Sequence, residues 1–192
     1  MKMNKTLIDF CPPARVSIIG ATNLADALRL VLSQLPQNGN EYFYVDLSQT
    51  RPDFDEGLDM LGLDPDGINA LTLDELDTCT VEEIANKIPE HTKVLVIADA
   101  GALIGDKIHS PAEAFKMMRG LQMLAKDQNL TIVGIMPASN NYCGRERIDG
   151  DGLLPRLAST VVILDPGSTS DKLKATIMPL NRKQETFELS IS

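Results

Sequence analysis

Short runs of β-branched and aliphatic residues alternate with segments of helical periodicity along most of the chain, and this alternation limits the fold more than any other feature. The five strand candidates are residues 15–19, 42–46, 93–98, 131–136 and 160–164. Strands that are separated by helices favour parallel pairing, with the helices covering both faces of the sheet. The sequence therefore predicts an α/β fold of three layers around a mostly parallel sheet.

Four segments between these strands have helical periodicity: residues 23–35, 53–61, 81–88 and 110–128. The last of them begins with Ser110 as N-cap, Pro111 at the first helical position and Glu113 completing a capping box. A short strand is predicted near residues 70–73. The most apolar strand, residues 93–98, suits a central position in the sheet.

The C-terminal part of the chain follows a different pattern. Residues 174–178 and 185–191 alternate between apolar and polar side chains, and the turn-forming residues 181–183 join them. This predicts an antiparallel hairpin at one edge of the sheet. Because no repeat, low-complexity tract or linker interrupts the chain, residues 1–192 are predicted to form a single domain without a separate N-terminal domain.

Composition excludes several classes of protein. The three cysteines are odd in number and far apart, and neither His91 nor His109 has ligands at metal-binding spacing, which favours neither a disulfide framework nor a metal site. No apolar run is long enough to span a bilayer, and the N-terminus does not resemble a signal peptide. We therefore expect a cytoplasmic or nucleoid-associated protein that binds no membrane, metal or cofactor.

The net charge of −9 is unevenly distributed. Residues 41–90 contain fourteen acidic residues against two basic ones, Arg51 and Lys87, whereas the rest of the chain is slightly basic. The overall acidity therefore does not exclude contact with DNA elsewhere. It predicts an acidic flank suited to a basic protein partner.

The first strand leads through Gly20 directly into a helix, which is where P-loop proteins hold phosphate with the pattern G-x-x-x-x-G-K-[ST]. In this register Ala25 replaces the second glycine, Asp26 replaces the lysine and Ala27 replaces the hydroxyl residue. A carboxylate at the lysine position repels phosphate. The alternative interpretation is structural: Asn23 is an N-cap, Asp26 complements the helix dipole and Gly20 forms a tight turn.

The order of motifs along residues 16–164 resembles the ATPase core of the RecA superfamily, especially the archaeal and eukaryotic recombinases and their paralogues. The segments that carry the resemblance are residues 42–46 (YFYVD), 53–65 (ending in GLDP), 93–103 (KVLVIADAGAL), 114–134 and 150–164. The resemblance implies a RecA-like fold.

The chain departs from that family at positions that matter for ATP hydrolysis. Ala98 stands where the family has the Walker B aspartate, Asp99 follows one residue later, and Ser48 stands where the water-activating glutamate is expected. The degenerate nucleotide site then comprises Gly20, Ala25, Asp26, Ala27, Ser48, Ala98 and Asp99. From these substitutions we expect a pseudo-ATPase that is not an enzyme.

The connection formed by residues 137–155 is long and polar. In the resembling recombinases the corresponding region faces the DNA-binding axis of the filament. Here it and the residue that follows offer Arg145, Arg147 and Arg156, with Tyr142 as a stacking surface for bases, while Glu146, Asp149 and Asp151 weaken the attraction. The alternative is a surface loop without a ligand.

The resemblance, with these departures, implies a noncatalytic accessory protein of homologous recombination or DNA repair that acts by binding. Its expected partners are a RecA-family recombinase or a paralogue, single-stranded DNA, and a second copy of the chain in a homodimer. One alternative is a regulatory binder similar to SulA, which inhibits cell division and has no DNA role. Another is an enzyme with atypical nucleotide chemistry through Asp46 or Asp99.

Overall fold

The computed structural model describes residues 7–34, 41–107, 110–148, 153–169 and 171–190. His109, Asp149 and Asp151 lie outside these residues. The described strands are β1 (Val16–Ala21), β2 (Tyr42–Asp46), β3 (Ala70–Leu71), β4 (Val94–Ala98), β5 (Thr131–Pro137), β6 (Thr160–Pro166), β7 (Lys172–Pro179) and β8 (Glu185–Ser190). The described α-helices are α1 (Leu24–Gln34), α2 (Arg51–Met60), α3 (Val81–Lys87), α4 (Pro111–Asp127) and α5 (Leu153–Leu157).

All eight strands belong to one sheet, in the order β3-β2-β4-β5-β1-β6-β7-β8. The first six strands of this order run parallel to one another. β7 and β8 are antiparallel to their neighbours and end the sheet on one side. The expected mostly parallel sheet with a C-terminal antiparallel hairpin is confirmed, and β4 lies in the interior between β2 and β5.

Helices cover both faces of the sheet because successive strand residues point to opposite sides. On one face, alternate residues of the strands such as Ile18 and Leu95 pack with α3, α4 and α5. On the other face, Ile19 and Val96 pack with α1 and α2. The three-layer α/β architecture is therefore confirmed.

The helix α4 shows how local sequence signals set the boundaries of an element. The Ser110 side chain accepts a hydrogen bond from the Glu113 backbone N–H, and Pro111 occupies the first helical position. The inward-facing residues are Ala114, Met117, Met118, Leu121, Leu124 and Ala125, all of which are buried. The expected N-cap and helical periodicity are confirmed, and of the two hydrogen bonds of a capping box the described contacts include the one that Ser110 accepts.

The connection between β5 and β6 is more ordered than its sequence suggests. It contains a 3₁₀ helix at Gly144–Arg147, a bridge between Ala138 and Ile148, and the helix α5. Residues 149–152 of this connection lie outside the described residues. None of the helices among the described residues is long and apolar enough to cross a membrane.

Candidate functional site

The turn from β1 to α1 is short, and the Asn23 side chain within it is paired with its own neighbours. Two residues, Thr22 and Asn23, separate the end of β1 from the start of α1. The Asn23 side-chain oxygen accepts a hydrogen bond from the Ala25 backbone N–H at 3.1 Å, and its nitrogen donates to Asp26 Oδ2 at 2.8 Å. The carboxamide of Asn23 therefore caps the first turn of α1.

Gly20 lies inside β1, one residue before its end, and pairs with Met136 and Ile163 on the neighbouring strands. A Cβ atom at this position would lie 2.1 Å from the Cδ1 atom of Ile148. The missing side chain therefore makes room for Ile148, which comes from the connection between β5 and β6. The glycine serves packing on the α4 face of the sheet, which the turn interpretation did not foresee.

Asp46, at the carboxyl end of β2, is a buried acid with a defined set of donors. Its side chain is 1% exposed. Its Oδ1 accepts hydrogen bonds from the Ser48 backbone N–H at 2.9 Å, the Ser48 hydroxyl at 2.8 Å and the Gln49 backbone N–H at 3.0 Å. Its Oδ2 accepts from the Tyr44 hydroxyl at 3.4 Å. Ser48 thus orients the Asp46 carboxylate.

A second acid lies near Asp46 because β2 and β4 are neighbours in the sheet. Asp46 is paired in register with Ala98, the last residue of β4, and Asp99 follows with a φ of 53°. Burial raises the pKa of the Asp99 carboxyl, and the nearby charge of Asp46 raises that pKa further. A carboxyl with a perturbed pKa, such as that of Asp99, at the carboxyl edge of a parallel sheet is typical of functional sites.

The structure brings together some of the predicted nucleotide-site residues and separates others. Ser48, Ala98 and Asp99 gather around Asp46, and Ala25 lies with Asp46 along one groove between α1 and α2. Gly20 packs on the opposite face of the sheet, as described above. Ala27 is buried among the core residues beneath α1.

Arg145 is held inside the connection between β5 and β6. Its guanidinium donates hydrogen bonds to the carbonyl oxygens of Pro155, Ala158 and Met178. Burial lowers the pKa of this guanidinium. The side chain therefore links the 3₁₀ helix, α5 and β7.

Arg147 is also engaged within the chain. Its guanidinium makes two hydrogen bonds to the carboxylate of Asp165 and one to the side-chain oxygen of Asn140. The hydrogen bond to Asp165 raises the pKa of Arg147. By contrast, Arg156 is largely exposed, and its nearest acidic partner is Glu146 at 3.3 Å.

An open groove of about 400 Å³ lies between β7 and the connection that joins β5 to β6. We call it the β6–β7 groove, lined by Tyr142, Arg147, Lys174, Thr176 and Gln184 among others. Tyr142 is 58% exposed, and Lys174 is exposed on β7. Lys174, Thr176 and Gln184 were missed by sequence reasoning because nothing in their local pattern differs from an ordinary edge hairpin.

Comparison with known proteins finds similarity in the fold of the chain but not in its sequence. No protein-family model matches the chain, and no curated protein matches it. A solved structure described as the crystal structure of the RadB recombinase matches with a TM-score of 0.68. The chain has a RecA-like fold. The match covers 98% of this chain and 94% of that one at 12% sequence identity, and at this identity the likeness establishes the fold alone.

The expectation that the chain is not an enzyme is wrong. It is overturned by the match to the structure of a recombinase. The expectation treated missing loop side chains as lost catalysis. Substituted loop side chains do not by themselves establish that catalysis is lost, because catalytic stabilisation depends on the charges and dipoles that the tertiary structure gathers.

Proposed function

We propose that the chain is a recombinase paralogue that acts in homologous recombination or DNA repair by binding a RecA-family protein and single-stranded DNA. The observation that supports this proposal is the likeness of nearly the whole chain to the RadB recombinase structure. Because a fold hosts many functions, the binding surfaces must be argued from this chain's own residues.

The DNA surface in this proposal is the β6–β7 groove together with Arg156. Tyr142 offers an exposed ring on which a base can stack, and Lys174 offers a cation to the phosphate backbone. Arg145 and Arg147 support the shape of the groove, since their guanidinium groups are bound to carbonyl oxygens and to Asp165. Among the predicted residues, Tyr142 and Arg156 are therefore the ones we expect to contact DNA.

The proposal is tested by fluorescence anisotropy of a labelled oligothymidylate titrated with the full chain at several NaCl concentrations. The logarithm of the association constant falls as the logarithm of the salt concentration rises. We expect Lys174→Ala to make this slope less steep by about one, because one phosphate contact is lost. Tyr142→Ala removes stacking worth about 1–3 kcal/mol per base, so affinity falls at least about fivefold with the slope unchanged.

Lys126→Ala is the matched control, since Lys126 is exposed in the last turn of α4 and does not line the groove. An unchanged salt slope in Lys174→Ala, or equal losses in the control, would overturn the DNA surface.

Arg145→Ala is expected to lower the thermal midpoint, because it leaves three carbonyl oxygens without their donor.

The protein partner is tested by mixing the purified chain with the recombinase from the same cell and measuring the mass of the complex by sedimentation. The same measurement on the chain alone reports whether it forms a homodimer. We expect a complex with the recombinase. Binding to a cell-division protein with no DNA effect would favour the SulA-like alternative instead.

A further inference from the structure

A second groove lies between α1 and α2, away from the β6–β7 groove. We call it the α1–α2 groove, lined by Ala25, Leu28 and Leu32 of α1 and by Phe54, Gly57 and Met60 of α2. Its walls are mostly apolar, and Met60 at its rim is 82% exposed. An exposed apolar side chain beside an open apolar groove is typical of a surface that another molecule covers.

The size of the groove limits what it can hold. Its volume is about 220 Å³, below the range of about 300–1,000 Å³ that is usual for small-molecule sites. This volume suits one large apolar side chain of a partner. Asp46 lies at the inner end of the groove as a buried carboxylate.

The charges around the groove are strongly negative. The helix α2 carries Asp53, Asp55, Glu56 and Asp59. Its one basic residue, Arg51, is already committed, since its guanidinium contacts Glu75 at 2.7 Å and Asp55 at 3.8 Å. On the opposite wall, α1 contributes one acid and one base, Asp26 and Arg29. The helix that forms this wall of the groove therefore carries an excess of acids, which attracts cations and repels a second copy of this acidic chain.

The backbone of α2 keeps the groove open and fixes its rim. Gly57 has no side chain, and a Cβ atom there would meet only the Gln49 side-chain oxygen, at 3.9 Å. The helix ends at Met60, and Gly62, two residues later, has a φ of 71°. The Gly62 N–H donates to the Asp59 carbonyl and the Leu63 N–H to the Leu58 carbonyl, which together form a Schellman motif.

We propose that the α1–α2 groove docks a basic peptide segment of a protein partner, seating one aromatic or large aliphatic side chain between the helices while flanking Lys or Arg residues face the acids of α2. The inference rests on the proposed function only in that both require a protein partner. It assigns that partner's contact to a surface distinct from the DNA groove.

The test begins with a random-peptide phage library selected on the full wild-type chain and counter-selected on Gly57→Leu. The substitution places a side chain in the groove, and its Cβ atom meets no clash, because Gly57 is helical and its Cβ direction is open. We expect the surviving peptides to contain an aromatic or aliphatic residue flanked by Lys or Arg. The proposal would be overturned if the surviving peptides are neutral or acidic. It would also be overturned if no peptide in the library binds the wild type in preference to Gly57→Leu.

An enriched peptide is then synthesised, and its affinity is measured by anisotropy. We expect at least a tenfold loss of affinity for Gly57→Leu and less than a twofold change for Gly57→Ala, which improves the helix without filling the groove. The double variant Glu56→Gln/Asp59→Asn, which leaves the apolar walls unchanged, is expected to weaken binding severalfold and to lower its salt dependence. Thermal denaturation checks that each variant is folded.

The same variants separate this proposal from the proposed function. Gly57→Leu is expected to bind oligothymidylate like the wild type, because the two grooves are lined by different residues. If the recombinase binds the wild type and Gly57→Leu equally, the groove proposal fails and the proposed function stands. If the basic peptide binds and neither the recombinase nor DNA does, the proposed function fails and the groove proposal stands.

Discussion

At the scale of single residues, Gly20 shows how tertiary packing changes the meaning of a sequence signal. In the sequence it opens a segment similar to a phosphate-binding loop. In the structure its missing Cβ admits the side chain of Ile148, and a Cβ atom would also lie 3.0 Å from Ile163 Cδ1 and 3.2 Å from Ala138 Cβ. The position is therefore constrained by packing, whatever the neighbouring turn binds.

We predict that Gly20→Ala destabilises the protein by about 1–3 kcal/mol, because Ile148 and its neighbours must move. Ile148→Val removes the Cδ1 atom that the new methyl group meets, at a cost of about 0.5–1.5 kcal/mol on its own. The double variant is expected to be more stable than the sum of the single changes implies, by at least about 0.5 kcal/mol. Urea unfolding followed by circular dichroism measures all three.

Gly120→Ala is a useful control for this set. Gly120 lies inside α4, and a Cβ atom there would lie 3.6 Å from the Val81 side chain, an ordinary contact distance. We expect a gain of about 0.5–1 kcal/mol from improved helix propensity. Strict additivity in the Gly20 and Ile148 pair would show that the predicted steric contact is absent.

At the scale of elements, the start of α3 depends on one carboxylate. Glu83 accepts hydrogen bonds from the backbone N–H groups of Asp77, Thr78 and Cys79 and from the Thr78 hydroxyl. The N–H groups of Asp77 and Thr78 are the main reason that the pKa of Glu83 falls to about 2. The side chain thus fixes the turn that precedes the helix.

This geometry predicts an acid-dependent contribution to stability. Because the pKa of Glu83 is lower in the folded chain than its ordinary value of 4.5, the contribution is fully present above about pH 4.5 and is lost as the pH falls toward 2. Glu83→Gln is therefore expected to destabilise the protein at neutral pH, with a difference from the wild type that shrinks on acidification.

Chemical denaturation of both proteins at a series of pH values measures this difference. Glu82→Gln is the matched control, because Glu82 is exposed in the same first turn and feels the same helix dipole. A difference between Glu83→Gln and the wild type that does not change between neutral pH and pH 3 would contradict the role assigned to the carboxylate.

Other element-scale features were predicted to different degrees. The boundaries of β2 agree with the prediction, and those of β4 and α3 agree to within one residue at one end, because their apolar patterns match the burial that the sheet and helix impose. The 3₁₀ helix at Gly144–Arg147 and α5 were not predicted, since the first is a short polar segment without periodicity and the second is only five residues long and contains a proline. Arg145 orders them through contacts with residues 10 to 33 positions away.

At the scale of the whole molecule, charge is segregated. Residues 41–90 hold fourteen of the twenty-seven acidic residues. Within this region the ion pairs of the described residues use Arg51 and Lys87, and Lys93 pairs with Glu41. Most of these acids therefore have no cationic partner in the described part of the chain, and their mutual repulsion opposes folding.

We predict that raising NaCl from about 50 mM to about 300 mM increases the thermal midpoint by a few degrees at neutral pH, because salt screens this repulsion. In the Glu56→Gln/Asp59→Asn variant the increase is expected to be smaller, since two of the clustered charges are gone. Differential scanning calorimetry measures both. A midpoint that falls with salt would mean that the ion pairs outweigh the repulsion.

The sequence by itself determined the α/β class, the three-layer arrangement, the antiparallel C-terminal hairpin and the location of the acidic flank. These follow from periodicity and composition, which are local properties of the chain. The tertiary structure decided that Gly20 makes room for Ile148, that Arg145 and Arg147 are held by carbonyl oxygens and by Asp165, and that α1 and α2 leave a groove open. Each of these depends on contacts between residues far apart in sequence, and no local pattern encodes which side chains meet.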